Sequence, residues 1–318
     1  MSKILKTEIE YKKRAVQLIK KAMKELNIVK EEDLDMRQLV VWLANKRPEI
    51  SRPTWRQYKS SIVFFLEGLD VTDETINALE YLREKEASGC VLKSTKTSSR
   101  KLKKISLHEW GKVEKYLKSN TGKWYNNLHD WLKAGLLTGL RPIEWKNTKF
   151  FLYEGKIPAL LVENAKNTNG RANGSVRTLL LEDLSISELK VIKDHLSNVR
   201  TFSSIGDDGY EFFYNGCANT LRKICKKIWP RRLKQITLYS TRHQFSANAK
   251  SSGFSKSEVA AMMGHAVDIT ATLHYGKKIS GNEKVMIRPV KEQVDTVRVI
   301  STIDIKDLMK NRKDNLIK

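Results

Sequence analysis

The sequence predicts a mainly α-helical protein with a small antiparallel β-sheet, arranged as two domains, and three observations support this. Apolar residues recur at three- and four-residue spacing through much of the chain, as they do on the buried face of a helix. Short apolar runs of strand length are clustered between residues 150 and 181. The chain has 318 residues, more than an average domain, and its segment 86–105 contains few apolar residues.

Residues 1–85 are predicted to form a small bundle of four helices. The expected helices run from Thr7 to Asn27, from Asp33 or Asp35 to a point before Pro48, from about Ser51, and from Asp73 to Lys85. Pro53 suits the first turn of the third helix, because an N–H there has no partner within the helix.

The third of these helices carries a basic face. Arg52, Arg56 and Lys59 project from its first turns, whereas its apolar stripe begins at Trp55. This face is a candidate DNA contact, because lysine and arginine side chains neutralise phosphates. An ordinary amphipathic helix with a solvated charged face is the alternative.

Segment 86–105 is interpreted as a basic linker, since lysines there alternate with serine and threonine. Its Lys101, Lys103 and Lys104 are candidates for lying along a phosphate backbone. A disordered connector is the alternative. Both interpretations hold if the segment becomes ordered only when DNA binds.

Residues 106–284 are predicted to form the second domain, which opens with a capping box from Ser106 to Glu109. The next helix, 123–137, is so apolar that we expect it to be the central buried element, and it leads to Arg141. Further strands are expected at 150–153, 159–162 and 176–181, and further helices at 185–199, 214–229 and 241–249. The helix at 214–229 is very basic, and its Arg222 and Lys226 are further candidate DNA contacts.

Residues 285–318 are interpreted as a C-terminal tail with its own apolar residues and a helix at 304–313. Such a tail is a candidate for docking on a neighbouring subunit. Packing back against its own domain is the alternative.

The charge of the chain indicates a polyanionic partner. Lys and Arg total 59 against 36 Asp and Glu, which gives a formal net charge of +23 and a pI of about 9.8. A polyanion that meets such a surface releases counterions, so nucleic acid is the first candidate partner. A solvated lysine-rich surface is the alternative.

Cysteine usage and hydropathy favour a cytoplasmic protein. Cys90, Cys217 and Cys225 are odd in number and form no Cys-x-x-Cys pair, so the sequence suggests neither a disulfide framework nor a zinc site. We find no apolar run long enough to span a membrane and no signal peptide at the N-terminus. The expectation is therefore an intracellular protein without membrane attachment.

The segment from Leu238 to Lys278 carries the residues best suited to chemistry. Arg242 is a fixed cation that can donate two parallel hydrogen bonds, His265 is an imidazole, and Tyr275 is a phenol that can act as a nucleophile. Short helices are expected around them, and Gly264 is expected to end the helix before His265. Together these side chains suit attack on a phosphodiester.

At these residues the sequence resembles the tyrosine recombinase, or phage integrase, family. The matching residues are Tyr239-x-x-Arg242, Gly264-His265 and Tyr275, preceded by Thr138-Gly139-Leu140-Arg141-Pro142-Ile143-Glu144. The resemblance covers residues 106–285 well and residues 1–85 more loosely. It implies a two-domain clamp, with a helical core-binding domain before an α+β catalytic domain.

The resemblance implies a role for each matched residue. Tyr275 would be the nucleophile, Glu144 a structural acid, and Lys166 the lysine of the family's β-hairpin. Paired N–H groups of Arg141 and Arg242 suit the non-bridging oxygens of the phosphate, which His265 would also contact. Lys166 is the candidate general acid, with Lys156 and Arg171 as alternatives.

The sequence departs from the family pattern at Tyr239, where a histidine is usual. A phenol donates a hydrogen bond readily, but it is a poor base near neutral pH because its ordinary pKa is about 10. The substitution therefore puts the rate in question more than the type of reaction.

The resulting interpretation is a site-specific DNA recombinase that cuts and rejoins duplex DNA through a 3′-phosphotyrosine intermediate, for integration or excision of a mobile element. The resemblance implies two protomers per duplex site and four in the synapse. No cofactor or metal is expected, because the phosphotyrosine bond conserves the energy of the broken phosphodiester. The alternatives are a catalytically inactive DNA-binding protein of the same fold and an RNA-binding module.

Overall fold

The protein is described by a computed structural model that covers residues 3–91, 102–165, 167, 172–206 and 208–300. The chain divides into two compact units, Met1–Lys96 and Thr97–Lys318. Within the described ranges, no helix is both long and apolar enough to cross a membrane.

Over its described residues 3–91, the N-terminal unit contains four α-helices, as the sequence predicts. They are α1 (Lys3–Leu26), α2 (Met36–Asn45), α3 (Arg52–Leu66) and α4 (Asp73–Glu84). Side chains of Asp35, Ser51 and Thr72 accept hydrogen bonds from backbone N–H groups of the first turns of α2, α3 and α4. The helices bury one apolar core, in which Trp55 and Leu39 are almost fully inaccessible.

Lys59 has a structural role that its sequence pattern does not reveal. Its Nζ donates hydrogen bonds to the carbonyl oxygens of Arg83, at 2.6 Å, and Lys85, at 2.9 Å, so it caps the C-terminal end of α4. Burial lowers the pKa of this amine. Arg56 is exposed and Arg52 is half-buried. The basic face expected on α3 is therefore smaller than predicted, because Lys59 is directed at its own unit.

The C-terminal unit is mainly helical with one antiparallel sheet. Its helices are α5 (Leu107–Ser119), α6 (Tyr125–Thr138), α7 (Ile186–Ser203), α8 (Gly209–Ile228), α9 (Ser240–Ser251), α10 (Lys256–Met262), α11 (Thr270–His274) and α12 (Lys291–Asp295). Its strands are β1 (Lys149–Tyr153), β2 (Ile157–Glu163), β3 (Val176–Leu180) and β4 (Arg288–Pro289). Neighbouring strands pair antiparallel in the order β1-β2-β3-β4. The helices predicted between residues 106 and 284 and the three predicted strands are present within a few residues of their expected bounds.

The tail packs on its own unit over residues 285–300, so the structure favours the alternative to subunit docking for this stretch. Ile287 is fully buried, β4 extends the sheet beside β3, and Val297 packs on Ala260 and Ala261 of α10. The helix predicted at 304–313 lies outside the described residues.

α6 is the central helix of this unit, as the sequence predicts, and two glycines bring it close to α9. A Cβ at Gly135 would lie 2.6 Å from Oγ1 of Thr241, and one at Gly139 would lie 2.2 Å from the ring of Phe245. Gly139 also ends α6 in the left-handed conformation, with φ of +66°. This close crossing places Arg141, just beyond α6, next to the first turn of α9.

Candidate active site

Five parts of the C-terminal unit converge on one buried cluster of charge. Arg141 follows α6 and precedes a short 3-10 segment, Pro142–Asn147, that carries Glu144. β3 contributes Arg177 and the first turn of α9 contributes Arg242. The turn after α10 contributes His265, and Tyr275 lies at the end of α11. The structure therefore brings together the following predicted site residues: Arg141, Glu144, Tyr239, Arg242, His265 and Tyr275.

Glu144 is at the centre of the cluster. Its Oε1 accepts a hydrogen bond from Nη1 of Arg141, and its Oε2 accepts one from Nη2 of Arg177 at 2.8 Å. Nη1 of Arg242 lies 3.7 Å from Oε2. Burial alone would raise the pKa of Glu144, but the three guanidinium groups hold it well below its ordinary value. One buried carboxylate thus faces three buried cations, which leaves an excess of positive charge.

Arg177 is the member of the cluster that the sequence analysis missed. Besides Glu144, its guanidinium donates to the carbonyl oxygen of Met262 at 2.9 Å and to Oδ1 of Asn164. It therefore joins the sheet to the turn that carries His265. The only sequence signal for this role of Arg177 was that an arginine stands within a predicted apolar strand, which indicates a buried polar partner.

Gly264 is required by this arrangement. Its φ is +61°, and a Cβ there would lie 2.3 Å from Oδ1 of Asn164 and 2.8 Å from Nη1 of Arg177. The glycine that follows α10 consequently allows the Asn164–Arg177 pair to lie against the backbone of the turn that carries His265.

Arg242 is fully buried and its N–H groups are directed at neighbouring residues. Nη1 donates to the carbonyl oxygen of Gly139 at 2.7 Å, and Nη2 donates to that of Met263 at 2.5 Å. Nε lies 3.3 Å from the hydroxyl oxygen of Tyr275. The paired contact with phosphate predicted for Arg242 is not prearranged here, because most of its donors already have partners.

His265 is neutral in this environment. Burial lowers the pKa of its imidazole well below the ordinary value, and the neighbouring arginines lower it further. Nη2 of Arg242 lies 3.2 Å from Nε2 of His265. Because a guanidinium only donates, Nε2 is the acceptor and the proton is on Nδ1. Neither Nδ1 of His265 nor Nε of Arg141 has a hydrogen-bond partner within the described part of the chain.

The two phenols of Tyr239 and Tyr275 contact each other. Their hydroxyl oxygens are 3.0 Å apart, and their rings stack at 26° with centroids 6.5 Å apart. The Tyr275 ring also lies 5.0 Å from the ring of His243 and 5.1 Å from that of His265. Aromatic rings and Arg242 therefore surround this half-buried side chain.

The two phenols differ in acidity. For Tyr275, burial raises the pKa, but the charges of Arg242 and Arg141 and the two hydrogen bonds lower it to about 8. For Tyr239, burial raises the pKa and the neighbouring Tyr275 raises it further. Together they outweigh the lowering effect of the arginines, so the pKa is about 12. Of the pair, Tyr275 is thus the phenol that ionises first, and Tyr239 remains the donor.

The predicted general acid, Lys166, lies outside the described residues, and so does its alternative Arg171. The backbone N–H of Ala165 donates a hydrogen bond to Oε1 of Glu144 at 3.5 Å. Lys156, the other alternative, is exposed in the turn between β1 and β2.

The predicted DNA-contacting residues are placed as follows. Lys103, Lys104, Arg222 and Lys226 are exposed on the C-terminal unit. Lys101 lies outside the described residues. The structure thus leaves four of these cations in the C-terminal unit accessible to a partner.

Comparison with solved structures identifies the fold as that of the tyrosine recombinases. A lambda integrase dimer bound to a COC′ core site matches 90% of this chain and 75% of its own, at 14% identity and a TM-score of 0.50. XerH site-specific recombinase, in a post-cleavage complex with palindromic difH substrate, matches over 78% and 71% at 16% identity and a TM-score of 0.43. The Tn1549 transposon integrase, bound to circular intermediate DNA, matches over 82% and 94% at 15% identity and a TM-score of 0.46.

No family model matches the chain, and no curated protein matches it. At identities of 14–16% the likeness to solved structures concerns the fold. The predicted fold class is confirmed: mainly α-helical, with a small antiparallel sheet in the described part of the chain.

Proposed function

We propose that the protein is a tyrosine-type site-specific DNA recombinase that cuts and rejoins duplex DNA through a 3′-phosphotyrosine intermediate. The observation that carries the proposal is the position of Tyr275, whose hydroxyl oxygen lies 3.3 Å from Nε of Arg242 beside a buried cluster with excess positive charge. A phenol that is ionised in part near neutral pH is a competent nucleophile towards phosphorus.

In the proposed reaction, the phenolate oxygen of Tyr275 attacks a DNA phosphorus. The new O–P bond forms as the bond from phosphorus to the 5′-oxygen breaks, and Lys166 gives its proton to that oxygen. The 3′-phosphate remains on Tyr275. Attack on this phosphotyrosine by a 5′-hydroxyl of the partner strand restores a phosphodiester and the free phenol, so rejoining uses no external energy.

The surrounding residues stabilise the charge that develops on the phosphate. Arg141, whose Nε has no partner in the described part of the chain, is positioned by Glu144 to donate to a non-bridging oxygen. The Nδ1–H of His265 is a second donor. Arg242 holds the attacking oxygen and adds charge, and its fully buried guanidinium acts at close range in a medium of low dielectric constant.

The basic surface is proposed to bind duplex DNA. Exposed Arg56, Lys103, Lys104, Arg222 and Lys226, with the net charge of +23, supply the cations that phosphates attract. Lys59 is left out of this interface because its amine is bonded within its own unit. A dimer on each site and a tetramer in the synapse are proposed by analogy with lambda integrase, whose structures include a dimer on a core site and a tetramer on a Holliday junction. We further propose a cytoplasmic location and a mobile-element substrate.

The proposal is tested by trapping the covalent intermediate. A pool of duplexes with randomised sequence, each nicked so that the fragment next to the cut diffuses away, is incubated with the protein and denatured in SDS. We expect an SDS-resistant adduct with the wild type and none with Tyr275→Phe, and peptide mass spectrometry should place the DNA on Tyr275. Sequencing of the trapped DNA then reports the preferred site. Absence of an adduct from every duplex that the wild type binds would overturn the proposal.

The alternative is a DNA-binding protein of the same fold without catalytic activity. Tyr239 favours this alternative, since it stands where the family has a histidine that can accept a proton. Under it, the protein binds a preferred duplex, and Tyr275→Phe binds equally well without either forming an adduct. Tighter binding to RNA than to duplex DNA at matched salt would instead support an RNA-binding module.

A further inference from the structure

The segment that carries Tyr275 lies along α9, and hydrogen bonds from Lys250 hold it there. Nζ of Lys250 donates hydrogen bonds to the carbonyl oxygen of Ala271, at 2.8 Å, and to that of Gly276, at 2.7 Å. One carbonyl lies four residues before Tyr275 and the other lies immediately after it. A single ammonium group in the last turn of α9 therefore bridges both sides of the tyrosine.

Two glycines allow the segment to approach α9 this closely. A Cβ at Gly276 would lie 2.5 Å from the carbonyl oxygen of His243 and 3.0 Å from Cβ of Ala247. A Cβ at Gly281 would lie 2.0 Å from Oγ of Ser251. Residues 243, 247 and 251 are four apart and share one face of the helix, so the segment follows a single stripe of α9.

A second set of hydrogen bonds to α9 holds the segment beyond Tyr275. Nε2 of Gln244 donates to the carbonyl oxygen of Ser280 at 2.7 Å, and the backbone N–H of Asn282 donates to Oδ1 of Asn248 at 3.0 Å. These bonds lie five to seven residues beyond Tyr275. They hold residues 280–282, whereas the bonds from Lys250 hold the residues on either side of the tyrosine.

We propose that Lys250 is a positioning residue that keeps the hydroxyl of Tyr275 within reach of Arg242 on the same helix. The proposal rests on the proposed function in so far as Tyr275 is the nucleophile. The Arg242 guanidinium lies near the beginning of α9 and the Lys250 ammonium near its end. Both therefore hold the tyrosine to one rigid element, which fixes the distance between phenol and guanidinium before DNA binds.

The position of Tyr275 against α9 can be followed by the pKa of its phenol, which a general structural role of Lys250 would not change. The groups facing Tyr275 are Tyr239, Arg242, His243 and His265, with the charge of Arg141 close by. In this position the charges of Arg242 and Arg141 and the hydrogen bonds from Tyr239 and Arg242 outweigh burial and bring the pKa of the phenol to about 8. A tyrosine released into solvent titrates near its ordinary pKa of about 10.

The test compares Lys250→Met, which keeps the aliphatic stem and loses the donors, with Lys256→Met as the matched control. Lys256 is an exposed lysine in the first turn of α10, so the control loses the same charge from the same unit. In Lys250→Met we expect the amide hydrogens of residues 271–278 to exchange about 10-fold faster, as loss of a hydrogen bond from a charged donor implies. We also expect the tyrosinate absorbance at 295 nm, taken as the difference from the same protein with Tyr275→Phe, to titrate well above pH 8. Lys250→Gln, whose shorter amide cannot bridge both carbonyls, should show the same two shifts and replaces the methionine variant if that protein does not fold.

The outcomes separate this proposal from the proposed function. Exchange and titration are measured without DNA, so they decide the role of Lys250 even if the wild type forms no covalent adduct. If the wild type does form one, Lys250→Met should form it about 10-fold more slowly at saturating DNA with an unchanged Kd for DNA. Unchanged exchange and an unchanged titration midpoint in Lys250→Met and Lys250→Gln would overturn the proposal.

Discussion

Replacing Tyr239 by phenylalanine tests how the phenol of Tyr275 is made acidic. The change removes one O–H donor that lies 3.0 Å from the Tyr275 oxygen and keeps the ring that stacks on it. A hydrogen bond to a charged oxygen contributes about 1.5–3 kcal/mol, and one pKa unit corresponds to about 1.4 kcal/mol. We therefore expect the pKa of Tyr275 to rise from about 8 by about 1–2 units in Tyr239→Phe.

This shift has a direct consequence for the proposed cleavage rate. At pH 7.5, a phenol of pKa about 8 is about one quarter ionised, whereas a phenol of pKa about 9.5 is about 1% ionised. Cleavage by Tyr239→Phe should then be about 20-fold slower at pH 7.5, and the deficit should shrink as the pH rises towards 9.5.

The assay is the difference absorbance at 295 nm between each protein and its Tyr275→Phe counterpart, followed from pH 6 to 11. Tyr153→Phe is the control, since it removes a phenol from β1 and leaves both residues of the pair in place. The reasoning is refuted if the midpoint of Tyr275 in Tyr239→Phe stays at the wild-type value or moves down. A lower midpoint would mean that Tyr239 accepts the hydrogen bond and stabilises the neutral phenol, and an unchanged one that the bond favours neither form.

Three further predictions concern stability. Arg177→Met leaves Glu144 with one fewer cation, and since loss of one partner of a buried ion pair costs about 3–5 kcal/mol, the free energy of unfolding in urea should fall by about that amount. Glu144 has a lowered pKa in the folded state, so its ionised form stabilises the fold. This contribution to the free energy of unfolding is complete above the unfolded pKa of about 4.3 and is lost as the pH falls below it. Acid titration of the wild type should show this loss, and a flat profile would contradict it. Gly264→Ala combines a φ of +61° with a contact of 2.3 Å to Asn164, so we expect a lower Tm and a loss of about 1–3 kcal/mol. The same change at open, exposed Gly111 within α5 should not lower the Tm, because alanine is favoured over glycine in a helix interior.

Much of the local structure was accessible from the sequence because its signals are local. The Ser106, Ser185 and Ser255 side chains each accept a hydrogen bond from the backbone three residues on, and the helices begin where these residues stand. The approach of Arg242 to Tyr275 was also accessible, because the two residues are 33 positions apart and joined by short helices with recognisable ends.

The parts that sequence reasoning missed depend on distant partners. Arg177 interrupts an apolar strand, and the alternation of side chains does not reveal that Glu144 and Met262, 33 and 85 residues away, provide its acceptors. The sequence predicts Lys59 as a candidate DNA contact and does not single out Lys250, yet each donates to two carbonyl oxygens more than 20 residues away. A periodic pattern shows which face of a helix is polar, but it does not show whether another chain segment ends against that face.

The cluster explains how a phenol at position 239 is compatible with the proposed chemistry. A histidine acceptor there would help to remove the proton of the nucleophile, so it would be needed most where the nucleophile has an ordinary pKa. Here the charges of Arg242 and Arg141, with hydrogen bonds from Tyr239 and Arg242, together lower the pKa of Tyr275 to about 8. Once the phenol is ionised, a neighbouring group stabilises the phenolate best by donating a hydrogen bond. Tyr239 donates throughout the pH range in which Tyr275 titrates, because its own pKa is about 12. Replacement by a neutral imidazole that accepts would favour the protonated phenol, so adduct formation by Tyr239→His at pH 7.5 should be slower than that of the wild type, and an equal or faster rate would contradict this reasoning.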